Sequence, residues 1–260
     1  MLDFIRNEFI LLAIGAILAT ALLLTSETKT YSAPDKWNGY FSAQNFSANR
    51  YNDRVKLNQV KNTIRSSISV LPKSHTASLK NLTVKNNFHR SRGLSNAKKI
   101  ILHTANIEDK QELAAVFIHE MGHIVDLGTL TGGRSFHRSP FHDFSKPIYV
   151  NDPSVEFYNI SWRNNSSKQK NTLRRDFVSG YAMSSPFEDF AESYLFYRLH
   201  GDTFRRFAQN SAPLRKKYYF MKTQVFSGIE FQKNNQNSKI MKNDHYDSTL
   251  LRFDLWELQS

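Results

Sequence analysis

The sequence predicts an α+β fold, and three observations carry that reading. Apolar residues recur at helical spacing in several stretches, short runs of strand-forming residues lie among the earlier ones, and Pro or Gly closes most of them. The first stretch, Val55, Val60, Ile64, Ile68 and Leu71, reads as a helix closed by Pro72. Residues 79–84 and 98–107 read as strands, the second with Ile100 and Ile101 at its apolar centre. Where residues 98–107 lead into the next helix, an edge strand can pair with an extended peptide through backbone hydrogen bonds. Residues 110–127 form the longest helical run. Asp109 caps it with Glu112 three residues on, and Gly128 stops it. A long loop, about 128 to 179, separates it from a helix that starts at Ser185, with Pro186 in its first turn and Glu188 at its third position. That helix runs to His200 and stops at Gly201. A last run, Leu214, Tyr218, Met221 and Val225, is closed by Gly228. The expected arrangement is a small sheet packed on the helix of residues 110–127, with further helices behind it.

Inside residues 110–127 lies His119-Glu120-Met121-Gly122-His123, an HExxH pentapeptide. On a helix its two imidazoles sit one turn apart and point the same way, so they can grip one zinc ion. The Glu120 carboxylate between them can then act on water beside the metal. Leu113, Phe117, Met121 and Ile124 would face a core, while Glu112, Ala115, His119, His123 and Asp126 share another face. A catalytic zinc needs a third protein ligand. The metzincin pattern would place glycine at position 126 and histidine at 129; Asp126 and Thr129 stand there, so that class is excluded. Glu188 and Glu192, four apart on one face of the later helix, offer an alternative. Like charges at that spacing repel, and a cation near Glu188, with Glu192 hydrogen-bonded to a ligand histidine, would offset the repulsion. A capping glutamate beside a solvated carboxylate is the plainer reading of the same pair. Phe187, Phe190, Tyr194 and Tyr197 form a separate stripe on that helix, which reads as core. His103, His137 and His142 are other possible third ligands, whereas His75, His89, His200 and His245 look incidental.

The two segments HEMGHIVD and GYAMSSPFEDFAES together resemble the gluzincin metallopeptidases, specifically the anthrax lethal factor-like catalytic domain family. The resemblance covers roughly residues 95 to 205. It implies a zincin-like domain in which His119, His123 and Glu188 hold Zn2+. Glu120 would be the general base, Tyr181, seven residues before Glu188, the hydroxyl that stabilises the transition state, and Glu192 a hydrogen-bond partner of a ligand. It further implies a protein or peptide substrate. The stretch from about 128 to 179 has no counterpart in the resemblance.

Four segments are expected: a signal peptide or membrane anchor at 1–26, a linker at 27–48, the metallopeptidase domain at 49–228, and a C-terminal extension of undecided structure at 229–260. Residues 9–26 are an uncharged run dominated by Ile, Leu and Ala, and about 18 residues of helix approach the thickness of a hydrocarbon core. Three leucines follow the small residues Ala19 and Ala21, which favours an uncleaved anchor over a cleavage site. Either reading makes the membrane a partner and places the domain outside the cytoplasm, as a single-pass or secreted protein. The 0 cysteines exclude disulfides and thiolate metal sites, and a net charge of +12 favours anionic surfaces. No nucleic-acid module is visible, so no specific nucleic-acid partner is expected. Two other readings use the same residues: a non-catalytic zinc-binding scaffold, and a basic surface-binding module with a fortuitous HExxH. Glu120 argues against the scaffold, since a purely structural zinc gains nothing from an unligated carboxylate beside it.

Overall fold

The computed structural model describes residues 41–47, 50–134, 137–231 and 247–254. The hydrophobic run expected at 9–26 lies outside the described residues. Among them, no helix is long and apolar enough to cross a membrane.

An α+β architecture is present. A four-stranded sheet runs in the order β1-β2-β4-β3, from strands Phe41–Gln44, Asn81–Lys85, Gly93–Ser95 and Lys99–His103 for β1 to β4. β1, β2 and β4 are parallel, and β3 closes the edge antiparallel to β4. Leu82 pairs with Ile100 and Val84 with Leu102, and all four side chains are fully buried. The strand foreseen at 98–107 is therefore not an edge. It is shorter than expected and lies between two neighbours, and the three-residue β3 holds the edge in its place. The unbroken apolar run Ile100-Ile101-Leu102 is what an interior strand needs.

Helix α1 (Tyr51–Ser69) and the short α2 (Lys73–Ala77) connect β1 to β2. Helix α3 (Lys110–Ile124) packs on α1, on β3 and most extensively on α5 (Pro186–Leu199). Both caps are as expected: the Asp109 carboxylate accepts from Glu112 N–H at 2.9 Å, and Ser185 Oγ accepts from Glu188 N–H at 3.2 Å. α3 passes into a π-helical turn, Val125–Thr129, before the chain leaves. Its second face, with Glu112, Ala115, His119 and Asp126, is buried as well and His123 partly so, because α1, β3 and α5 pack around the helix.

The stretch foreseen as a long loop is structured. It contains a β-hairpin, β5 (Arg138–Asp143) and β6 (Lys146–Tyr149), and helix α4 (Pro153–Ser161), capped by Asp152. Helices α6 (Gly201–Gln209) and α7 (Ala212–Phe220) follow α5, and a π-helical turn, Met221–Val225, extends α7. Phe157, Phe190 and Phe220 form an aromatic cluster joining α4, α5 and α7, with the aromatic stripe of α5 buried as expected except for the partly buried Phe187.

Candidate metal centre

Two glycines make room for the site. A Cβ on Gly122 would lie 2.8 Å from the Ala191 Cα, so α3 and α5 meet with backbone almost against backbone. That close approach carries the acidic face of α5 up to the histidines of α3. A Cβ on Gly93 would lie 2.2 Å from Glu120 Oε1, so glycine there lets β3 run close over the Glu120 carboxylate without displacing it.

His119, His123 and Glu188 converge, and each offers a ligand atom within 4.8 Å of the others. Glu188 Oε2 lies 3.1 Å from His119 Nε2 and 3.4 Å from His123 Nε2. Ligand atoms at the corners of a tetrahedron with zinc bonds of about 2.0–2.1 Å stand roughly 3.3 Å apart. Two imidazole nitrogens and a carboxylate oxygen at these separations fit zinc in both chemistry and size. Of the other histidines weighed as ligands, His103 instead bonds Asn87 and stacks on His89, and exposed His142 bonds the Phe144 carbonyl. His137 does not join the group either.

Glu192 is completely buried and spends both oxygens. Its Oε1 lies 2.9 Å from His119 Nδ1, and its Oε2 accepts from Ser179 Oγ and from the Ser248 backbone N–H, each at 2.6 Å. Since a carboxylate only accepts, His119 carries a proton on Nδ1, facing Glu192, and Nε2 is the atom it turns towards Glu188 and His123. Burial favours a neutral His119 ring, but Glu188 and Glu192 on either side outweigh it and raise its pKa well above the usual value. Burial would likewise raise the Glu188 carboxyl, yet His123 and His119 hold it far below the carboxylate range. The pocket therefore favours positive charge among its carboxylates.

Glu120 is also buried and accepts from Ser95 Oγ on β3. Tyr181 sits in a short 3-10 turn before α5, its ring 6.0 Å from that of His119 and its side chain partly exposed. Burial, then Glu188 and Glu120, push the Tyr181 hydroxyl pKa upward, so it stays protonated. Beside these groups opens a cleft of about 320 Å³, lined among others by Arg92, Gly93, Glu120, Tyr181 and Asp247.

All six residues singled out from the sequence, His119, Glu120, His123, Tyr181, Glu188 and Glu192, stand at this one place. Ser95, Ser179, Arg92 and Ser248 were not foreseen. Ser179 immediately precedes the second motif segment and was within reach; the other three lie in stretches with no local signal.

The sequence profile of a family described as "Putative zinc-binding metallo-peptidase" matches residues 83–239, more than half of the chain. No curated protein and no solved structure matches it.

Proposed function

The chain belongs to this zinc-binding metallo-peptidase family, and from that premise we propose that it is a gluzincin-type endopeptidase, similar to the anthrax lethal factor-like catalytic domains. One observation carries the finer reading: the Glu188 carboxylate lies within 3.4 Å of Nε2 of both motif histidines, while Glu192 anchors the first of them from behind. His119, His123 and Glu188 would hold the ion. Zinc bound there supplies a Lewis acid that polarises a peptide carbonyl and acidifies water.

The remaining steps fall to protein groups. Glu120 takes a proton from the attacking water and passes it to the leaving amine. Ser95 and the glycine at position 93 fix that carboxylate in place. Tyr181, held protonated and partly open to the cleft, donates to the oxyanion as it develops. An extended peptide can lie along β3, whose outer side has no strand partner among the described residues. The family implies a peptide substrate; the side chains it prefers are not fixed by this reasoning. The uncharged run at 9–26 supports a location at, or beyond, a membrane.

Glu120→Gln tests the reading most directly. The variant should keep one equivalent of zinc and lose peptide hydrolysis by about a hundred- to ten-thousandfold. Undiminished hydrolysis would remove Glu120 as base. Wild-type protein without zinc would instead favour the basic surface module.

A further inference from the structure

The described part of the C-terminal extension, residues 247–254, lies across both motif helices. A 3-10 turn, Ser248–Leu250, is capped by Asp247, whose carboxylate accepts from the Thr249 N–H and hydroxyl. Arg92 ties this turn to the sheet side of the cleft by pairing with Asp247 and with Glu112 on α3. Arg252 reaches Asp109, the cap of the same helix. Ser248 and Thr249 are buried, and Phe253 packs on His200. The family match ends at residue 239, so this segment lies beyond it.

Its most specific contact is polar. The Ser248 N–H donates to Glu192 Oε2 at 2.6 Å, while the other oxygen of Glu192 holds His119. A buried carboxylate is costly unless donors surround it, and losing a partner of a metal-ligating histidine typically lowers metal affinity by about 10–100-fold.

We propose that the C-terminal turn is a positioning element of the metal centre: docking of residues 247–250 supplies the backbone donor that fixes Glu192, and through it the orientation of His119. The inference rests on the metal-site reading above. Ser248 takes the first position of its turn, where proline is well tolerated and where its own N–H is the only group the argument needs. Its hydroxyl has no hydrogen-bond partner among the described residues, so Ser248→Ala serves as a control that keeps the N–H.

The experiment uses the full chain, stripped of metal. Zinc affinity is read by competition with a chromophoric chelator, and ligand geometry by the visible absorption of the cobalt-loaded protein. Ser248→Pro should bind zinc about 10–100-fold more weakly and shift the cobalt bands, with Ser248→Ala matching wild type. Equal affinities and bands for wild type and Ser248→Pro would overturn the inference and leave the metal site standing. Failure of wild type to bind zinc or cobalt would overturn both. Should Ser248→Pro not fold, Asp247→Asn decides: weaker binding supports the positioning role, and wild-type binding with wild-type cobalt bands overturns it.

Discussion

Helix α5 turns one acidic face towards α3 and another towards α7, and the two are balanced by different means. Asp189 faces α7. Its charge is met inside the protein by Lys217 Nζ at 2.7 Å, its remaining bond by Trp162 Nε1 at 3.0 Å, and Lys217 also donates to the Asp176 carbonyl. Lys217 lies 4.0 Å from the centre of the Phe177 ring, and both it and Asp189 are fully buried. That cluster is self-contained. Glu188 and Glu192 face α3, where among the described residues their close ion-pair partners are two imidazoles rather than a lysine or arginine. Neighbouring carboxylates thus serve different ends: one closes a core, the others gather two imidazoles into a candidate metal site.

The contrast can be broken from the core side first. Lys217→Met strands a buried carboxylate and should lower stability by about 3–5 kcal/mol in denaturant titration. The same variant, where it still folds, should bind one zinc. If it lost zinc with little change in stability, the two faces of α5 would not be independent. On the other face, Tyr181→Phe should slow peptide hydrolysis by about a hundred- to a thousandfold while leaving zinc affinity and stability near wild type. A Tyr181→Phe enzyme with unaltered kcat would return that side chain to a packing role.

Gly122→Ala sits between the two faces and sharpens the comparison. Its methyl meets the Ala191 backbone, so we expect a loss of about 1–3 kcal/mol together with weaker zinc binding, as α5 is pushed off α3. Unchanged zinc affinity in a destabilised protein would uncouple helix spacing from the ligands.

The smallest effect concerns pH, away from the ligands. Burial lowers His75 and His200 from the ordinary 6.5 to about 4. Unfolded chains therefore take up protons there that the folded chain refuses, so the stability these residues contribute is full above pH 6.5 and is lost as pH falls towards 4. Buried Asp126 runs the other way. Its carboxyl is raised from 3.8 to about 7, so its contribution is largest in acid and falls as pH rises through that window. Among these three groups the two histidines outweigh the one carboxyl, so together they destabilise the fold as pH falls from 6.5 towards 4. Asp126→Asn should steepen that loss. A stability that stays flat from pH 4 to 6.5 in that variant would contradict the burial of the two imidazoles.

What the sequence made legible follows from how local each signal is. The caps at Asp109 and Ser185, the HExxH spacing and the Glu188–Glu192 pair are all written within one or two helical turns, and each stands where periodicity placed it. The hairpin of residues 138–149 was hidden because Pro140 and Pro147 lie inside its strands, where proline speaks against strand formation. His75 looked incidental, but its ring bonds the Tyr194 hydroxyl and the Val225 carbonyl, partners more than a hundred residues away. Ser248 reaches Glu192 by a backbone amide, a contact that no side-chain pattern can announce.

The near-contact of Gly122 with Ala191 joins two helices separated in the chain by the hairpin and α4. An ion gripped at this seam would pin both ends of that excursion at once, restricting the unfolded chain as a covalent bridge does. In a protein with 0 cysteines, a zinc ion bound there would double as its cross-link, and chelation should then lower the melting temperature of the whole domain along with any hydrolysis.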